Sequence, residues 1–379
     1  MLCFAGLITA VVAEDSIPQM THNLLLADEG NGKVHHINLS GTGDKWSAAL
    51  SNRDMQLIGN DRILVGSNAG NGYSILSLST GAVQRTVKVS GATGINSVFM
   101  VSGNELYCTC DGNPAKIIRI DSTGKTVSTI TLSIGASVRI CRPTPDTTFL
   151  VGGKVAGMMY EFDGKGNKIW ECNAGGEPYM ALRLADGNTL ISNGYGGQMV
   201  LADHSGTVLR KFPSESDKQK NPAFWEKARP NFFAGFQVLQ DGTIVVSNWE
   251  GHGTGHGNSG YQLIGINSTL TGVVSYWKQD ATLVSSLHGV LVLDGLDTRN
   301  AYTDRSGPLT ALTEQVDITQ YDGHPVPCNR IVPAIVRKFD LLGRTASVNR
   351  LPARDITVTV SDSDNNHHVD AFINVHLTQ

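Results

Sequence analysis

Residues 180–212 read MALRLADGNTLISNGYGGQMVLADHSGTVLRKF, and four short strands fit along them. An apolar run, Met180–Leu184, ends at Asp186-Gly187 and resumes as Thr189–Ser192. A third apolar run ends at Ala202 and gives way to Asp203-His204-Ser205-Gly206, followed by Val208–Phe212. Asp opens a turn by accepting hydrogen bonds from nearby backbone, and Gly closes it by taking a positive φ.

The same punctuation recurs along the chain. It reads Leu39-Ser40 to Gly43, Leu78-Ser79 to Gly81, Ile120-Asp121 to Gly124, Phe162-Asp163 to Gly166 and Ile266-Asn267 to Gly272. The successive glycines, with Gly206 among them, lie 38, 43, 42, 40 and 66 residues apart. Four strands in a unit of about 40 residues is the signature of a propeller blade. The first unit supplies only three strands, Asn23–Ala27, Lys33–Leu39 and Lys45–Leu50. The missing innermost strand is found at the far end, as His288–Leu293. Joining the two ends completes a sixth blade and removes the open edges of a linear array. The expected architecture is an all-β, six-bladed β-propeller over 20–295, closed by strands from both ends of the repeat region. A loop-like stretch follows at 296–330, then a small C-terminal β-module at 331–379.

Ala185-Asp186-Gly187-Asn188-Thr189-Leu190-Ile191, Gly196-Gly197-Gln198 and Asp203-His204-Ser205-Gly206 resemble the bacterial PQQ-like propeller-repeat superfamily. Asn248-Trp249-Glu250-Gly251-His252-Gly253 and His288-Gly289-Val290 resemble an uncharacterised exported branch of it. The resemblance covers about 23–295 and implies a propeller without implying the quinone. The eight blades, tryptophan docking motifs and adjacent cysteine pair of the quinone dehydrogenases are missing, since Thr109 separates Cys108 from Cys110.

Composition agrees with short strands and tight turns: only 17% of residues are charged and 42 of the 379 are glycine. A formal net charge of -4 without a basic run argues against a nucleic-acid partner. The apolar run LCFAGLITAVVA at 2–13 is too short to span a bilayer and long enough for the core of a signal peptide cleaved after Ala13. The chain is therefore expected to be exported, to the periplasm, the cell surface or the medium, with no transmembrane segment. Removal of Cys3 with that leader leaves five cysteines, an odd number that reads as small buried side chains rather than a disulfide framework.

Of the five glycine intervals, the long one holds two insertions: a crossing from Pro213 to about Phe232, and the loop WEGHGTGHGNSG at 249–260. With the blade strands lettered A to D from centre to rim, both fall on the face carrying the B–C loops and the D-to-A crossings, over the fifth complete blade. Long loops on a rigid scaffold commonly carry function. Asn221-Pro222 opens one or two helical turns in the crossing, and Phe224, Trp225, Phe232 and Phe233 are candidates for a lid. His252, His256 and His288 are the candidate acid–base residues. Asn193, Tyr195, Trp225, Trp249 and Glu250 are the candidate ligand-binding residues, with Asn68 and Asp111 on the same face. No third metal ligand is assured beside His252 and His256, and neither a metal nor a cofactor is expected. No G-x-S-x-G elbow, phosphate-binding glycine loop or H-E-x-x-H pattern occurs.

In the tail, Ala334–Phe339, Ile356–Val360 and Ala371–Leu377 read as strands. Lys338-Phe339-Asp340-Leu341-Leu342-Gly343-Arg344 with Leu351-Pro352-Ala353 resembles the C-terminal sorting module of type IX secretion substrates, with Arg354 where that module usually has Gly. Asp362, Asp364, Asn366 and Asp370 lack the central Gly and final Glu of an EF-hand and read as a solvated turn. The expected function is binding of a carbohydrate, peptide or protein partner on the B–C loop face. The alternative is a lyase, hydrolase or sulfotransferase-like enzyme that uses the histidines of that face.

Overall fold

The computed structural model describes residues 17–296, apart from short gaps at 41–42, 69, 102–104, 136, 155–156 and 280–282. Beyond them it describes two short strand pairs, Tyr302–Thr303 with Gly307–Pro308 and Thr359–Val360 with Ala371–Phe372. The chain divides into two units at Ala311/Leu312. The leader at 1–13, the other tail strands and Cys328 lie outside the described residues.

Six four-stranded antiparallel sheets form a six-bladed β-propeller. Blade one takes Leu287–Val292 as its inner strand, followed outward by Asn23–Asp28, Lys33–Asn38 and Gly43–Ala49. Blades two to six are each continuous, with inner strands Asn52–Leu57, Ile95–Met100, Val138–Pro143, Met180–Arg183 and Phe232–Val238. The closure expected near His288 is present: Leu24 pairs with Val292 and Ala27 with Gly289. Asp28 seals it. Its buried carboxylate accepts the backbone N–H groups of Ser285 at 2.9 Å and Ser286 at 3.0 Å. The chain also runs past the rim of blade six before entering blade one, where Met20 N–H donates to Tyr276 O at 2.7 Å.

The repeat has a packing cause. In the C–D turn of blade five, Asp203 Oδ1 accepts from Ser205 N–H at 2.8 Å and Thr207 N–H at 2.9 Å. Gly206 then takes φ +86°, and a Cβ there would lie 2.1 Å from the carbonyl oxygen of Glu171, on the outer strand of blade four. Gly166 meets the Thr131 carbonyl of blade three in the same way. The repeated glycine thus closes a turn and lets each blade approach its predecessor. Blade six departs from the expectation. Its positive φ falls on Leu270, the third residue after Asn267, and not on Gly272. The Leu270 carbonyl accepts instead from Arg210 Nε at 3.0 Å.

Apolar layers fill the space between blades; Val151, Phe162, Phe149 and Phe99 are examples between blades three and four. Near the axis, inner strands are linked by side chains. Gln56 brackets Met100, donating to its carbonyl at 3.1 Å and accepting from its N–H at 2.7 Å. Gln237 does the same for Val292, which joins blade six to the closing strand. A buried bidentate pair joins Arg142 of blade four to Asp54 of blade two, at 2.6 and 3.0 Å. Around it the axial space narrows to a void of about 10 Å³. No helix of the described residues is long and apolar enough to cross a membrane.

Candidate functional site

The site begins with irregular pairing at the head of the inner strands. In blade one Ala27 pairs with Gly289 and Asp28 with Leu287, which leaves His288 without a partner. Blade two pairs Asn52 and Asp54 and skips Arg53; blade three pairs Ile95 and Ser97 and skips Asn96. In blade four the pairing jumps from Val138 to Cys141, past Arg139. A β-bulge re-aims the side chain of its extra residue. Here Arg53, Asn96, Arg139 and His288 all line one cavity of about 210 Å³.

Aromatic rings form one wall of that cavity. Trp249 lies 5.0 Å from His288 and 5.3 Å from Phe232 between ring centroids, and Tyr195 stands edge-on to Phe232 at 4.8 Å. Tyr195 is 59% exposed, so its ring is presented to the opening. Polar and charged groups form the rest. Glu29, from the B–C loop of blade one, accepts from Trp249 Nε1 at 3.1 Å and meets His252 Nδ1 at 2.8 Å. It also accepts from Asn68 at 3.3 Å and lies 3.8 Å from Arg53. Glu177 is paired with Arg139, and Asp111 accepts from Asn96 at 2.9 Å, Ser137 at 3.1 Å and Val138 N–H at 2.9 Å.

His288 is the most constrained member. Its Nδ1 lies 2.7 Å from the hydroxyl of Tyr179, itself buried, while its buried Nε2 has no hydrogen-bond partner. Burial holds the His288 imidazole well below its usual range, and the positive charges of Arg53 and Arg139 add to that. The side chain is therefore neutral at physiological pH. Burial likewise pushes the Tyr179 hydroxyl up, so the pair is a neutral phenol against a neutral imidazole.

Four expected site residues come together here: Trp249, Tyr195, His288 and His252, the last across Trp249 at 4.7 Å between centroids. His256 does not join them. It is exposed, with its ring against Gly251, so no triad of histidines forms. Trp225 belongs to the short helix Pro222–Ala228, capped by Asn221 as expected, and is buried against Phe212 and Phe224. It anchors the insertion and does not line the cavity; of the four lid aromatics, Phe232 does. Glu250 binds its own loop, accepting from Gly257, Ser259 and Gly260 N–H groups at 2.9–3.0 Å. Asn193 is buried and accepts from Gln198 N–H at 2.9 Å, as a turn former does.

Arg53, Arg139, Lys154, Glu29, Glu177 and Tyr179 were not among the expected site residues. A signal for the strand-borne ones was present. Arg53, Asn96, Arg139 and His288 each occupy the second position of an inner strand, a column that aligned repeats would have displayed. Glu29 and Lys154 lie in B–C loops, where polar residues are ordinary turn formers.

The four described cysteines, Cys108, Cys110, Cys141 and Cys172, are buried and free. Burial pushes the Cys141 and Cys172 thiols up, which disfavours the reactive thiolate. Cys108 and Cys110 lie 4.0 Å apart at sulfur, in hydrogen-bond contact and not joined by a disulfide. Among the described residues no three His, Cys, Asp or Glu side chains are grouped to hold a metal ion.

No family model matches the chain, and no curated protein matches it by sequence. Solved structures do. A protein of unknown function from Bacteroides caccae superposes with a TM-score of 0.59 at 17% identity, over 72% of this chain and 98% of that one. Virginiamycin B lyase from Staphylococcus aureus gives 0.47 at 12% identity, over 70% and 83%. The WD40 β-propeller domain of Doa1 gives 0.45 at 13% identity, over 59% and 71%. These likenesses concern the propeller fold.

Proposed function

We propose that the chain is an exported binding propeller that takes a carbohydrate at the axial cavity of its B–C loop face. One observation carries this reading: Tyr195, Phe232 and Trp249 form an aromatic wall directly beside a ring of hydrogen-bonding side chains. A sugar ring has an apolar face and a polar edge, and such a cavity meets both. Peptide and protein ligands share part of this chemistry. The volume of about 210 Å³ favours a compact ring over a folded surface. Membership of the PQQ-like repeat superfamily, a leader at 1–13 and a sorting role for 331–379 belong to the same proposal. The proposed location is the periplasm, the cell surface or the medium.

The test is a glycan array followed by calorimetric titration of the hits. The account expects binding that Trp249→Ala weakens at least tenfold, about 1.4 kcal/mol, with circular dichroism unchanged. Binding untouched by Trp249→Ala, or no glycan bound at all, contradicts it. An enzymatic reading is favoured by a separate observation, the neutral and partly unsatisfied His288. A lyase or hydrolase would use His288, and not His256, to donate a hydrogen bond to negative charge developing on the substrate. Turnover of a bound glycan that His288→Gln abolishes supports that reading; turnover unchanged in His288→Gln excludes it.

A further inference from the structure

Two buried side-chain nitrogens of the cavity, Arg53 Nε and His288 Nε2, lack protein partners, and both act as donors. The hydroxyl of Tyr179 has one described partner, His288 Nδ1. Were Nδ1 to carry the hydrogen, the buried phenolic hydrogen would have no acceptor, at a cost of roughly 1–3 kcal/mol. The arrangement that satisfies both groups has Tyr179 donating to Nδ1 and the imidazole hydrogen on Nε2. Nε2–H is then a buried donor, on the cavity, with nothing to receive it.

Arg53 lines the same cavity, and its buried Nε–H also lacks an acceptor. Its other guanidinium nitrogens reach only Asn96 at 3.4 Å and Glu29 at 3.8 Å, both long. Lys154 lines the cavity with its amine in no ion pair among the described residues. By contrast each carboxylate already meets protein groups: Asp111 three donors, Glu177 Arg139 at Oε1, and Glu29 Trp249, His252 and Asn68. Buried polar groups are ordinarily satisfied, so exceptions that converge on one cavity point to a ligand that completes them.

We propose that the cavity seats an acidic sugar, a uronic acid whose carboxylate receives hydrogen bonds from His288 Nε2, Arg53 and Lys154. A carboxylate has two oxygens and no hydrogen to donate, which matches a set of donors. Arg53, Arg139 and Lys154 face Glu29, Glu177 and Asp111, so the surroundings carry no excess positive charge for a dianion such as a phosphate monoester. The sugar ring then lies against Trp249 and Tyr195. The inference rests on the carbohydrate reading and narrows it.

The test is a titration of the full chain with matched methyl glycosides: the uronates of glucose, galactose and mannose, and the corresponding neutral hexosides. The expected result is at least one uronate bound tenfold or more tighter than its neutral partner. Added salt weakens the uronate and spares the hexoside. Lys154→Ala, at an exposed position, removes most of the difference between uronate and hexoside. Equal affinity for acid and neutral partners overturns the acidic specificity and leaves the carbohydrate reading standing. A uronate preference that persists undiminished in both Lys154→Ala and Arg53→Gln overturns the assigned donors. Failure of every sugar, acidic or neutral, overturns both.

Discussion

His288 and His256 are chemically identical in the sequence, and only their surroundings separate them. His288 is held in a bulge between paired residues, with Tyr179 on one nitrogen and the cavity on the other. His256 sits in a glycine-rich loop and stays exposed. The buried histidines make stability depend on pH. Burial, then Lys45, hold His36 down to about 4, and His288 is also well below its usual range. An unfolded imidazole titrates near ~6.5. As the pH falls below that, the unfolded chain takes up protons that the folded chain refuses, so stability is full above ~6.5 and declines toward 4. Thermal melts are expected to show Tm falling by several degrees from pH 7 to pH 5. A Tm that holds steady or rises over that window contradicts the assignment. Strand and loop were legible for His288 and His256, but the face that His288 presents was not, because it follows from strand register.

The turns allow a sharper comparison between elements. Gly187 and Gly206 share nearly the same backbone, φ +83° and +86°, but a Cβ at Gly187 meets nothing within 4 Å. Substitution of Gly187 by Ala carries only the backbone penalty, roughly 1 kcal/mol. Gly206→Ala adds a collision with the Glu171 carbonyl of the neighbouring blade, for a total of roughly 2–4 kcal/mol. Urea denaturation of the two variants separates these costs; equal losses would show that the blade contact is unimportant. This inter-blade contact is why the repeat was legible: the glycine spacing records how blades pack. The same logic explains the misreading at Gly272, where Asn267 closes its turn on Leu270 and the Arg210 contact takes the place of a close glycine approach. The bulges were not legible, because a skipped residue leaves no gap in the alternation of one strand. It becomes visible only against its partner.

For the whole molecule, circular closure depends on a few groups from opposite ends of the chain. Asp28 holds the start of the closing strand across 257 residues of sequence. Burial works to raise its pKa. The hydrogen bonds from His35, Ser285, Ser286 and Asn31 overcome that and hold the carboxyl below its usual range. Its contribution is therefore present above ~3.9, the ordinary carboxyl value, and fades as the pH drops below it. Asp28→Ala leaves the Ser285 and Ser286 N–H groups unsatisfied and is expected to cost roughly 2–4 kcal/mol. Hydrogen exchange would read the loss as faster exchange in both Asn23–Asp28 and Leu287–Val292. Protection lost in one strand alone would show that the two ends do not close as a unit.

The ring of closed blades leaves one end of the axis with a blind cavity, narrowed below by Arg142 and Asp54 and walled by Trp249, Tyr195 and Phe232. Carbohydrate binding at that place is the central claim, and a crystal structure of the full chain with a glycan selected by array screening tests it most directly. The account predicts one sugar ring within about 4 Å of the Trp249 and Tyr195 rings, with its polar edge toward His288 and Arg53. A glycan bound elsewhere on the propeller, with this cavity left to water, would contradict it.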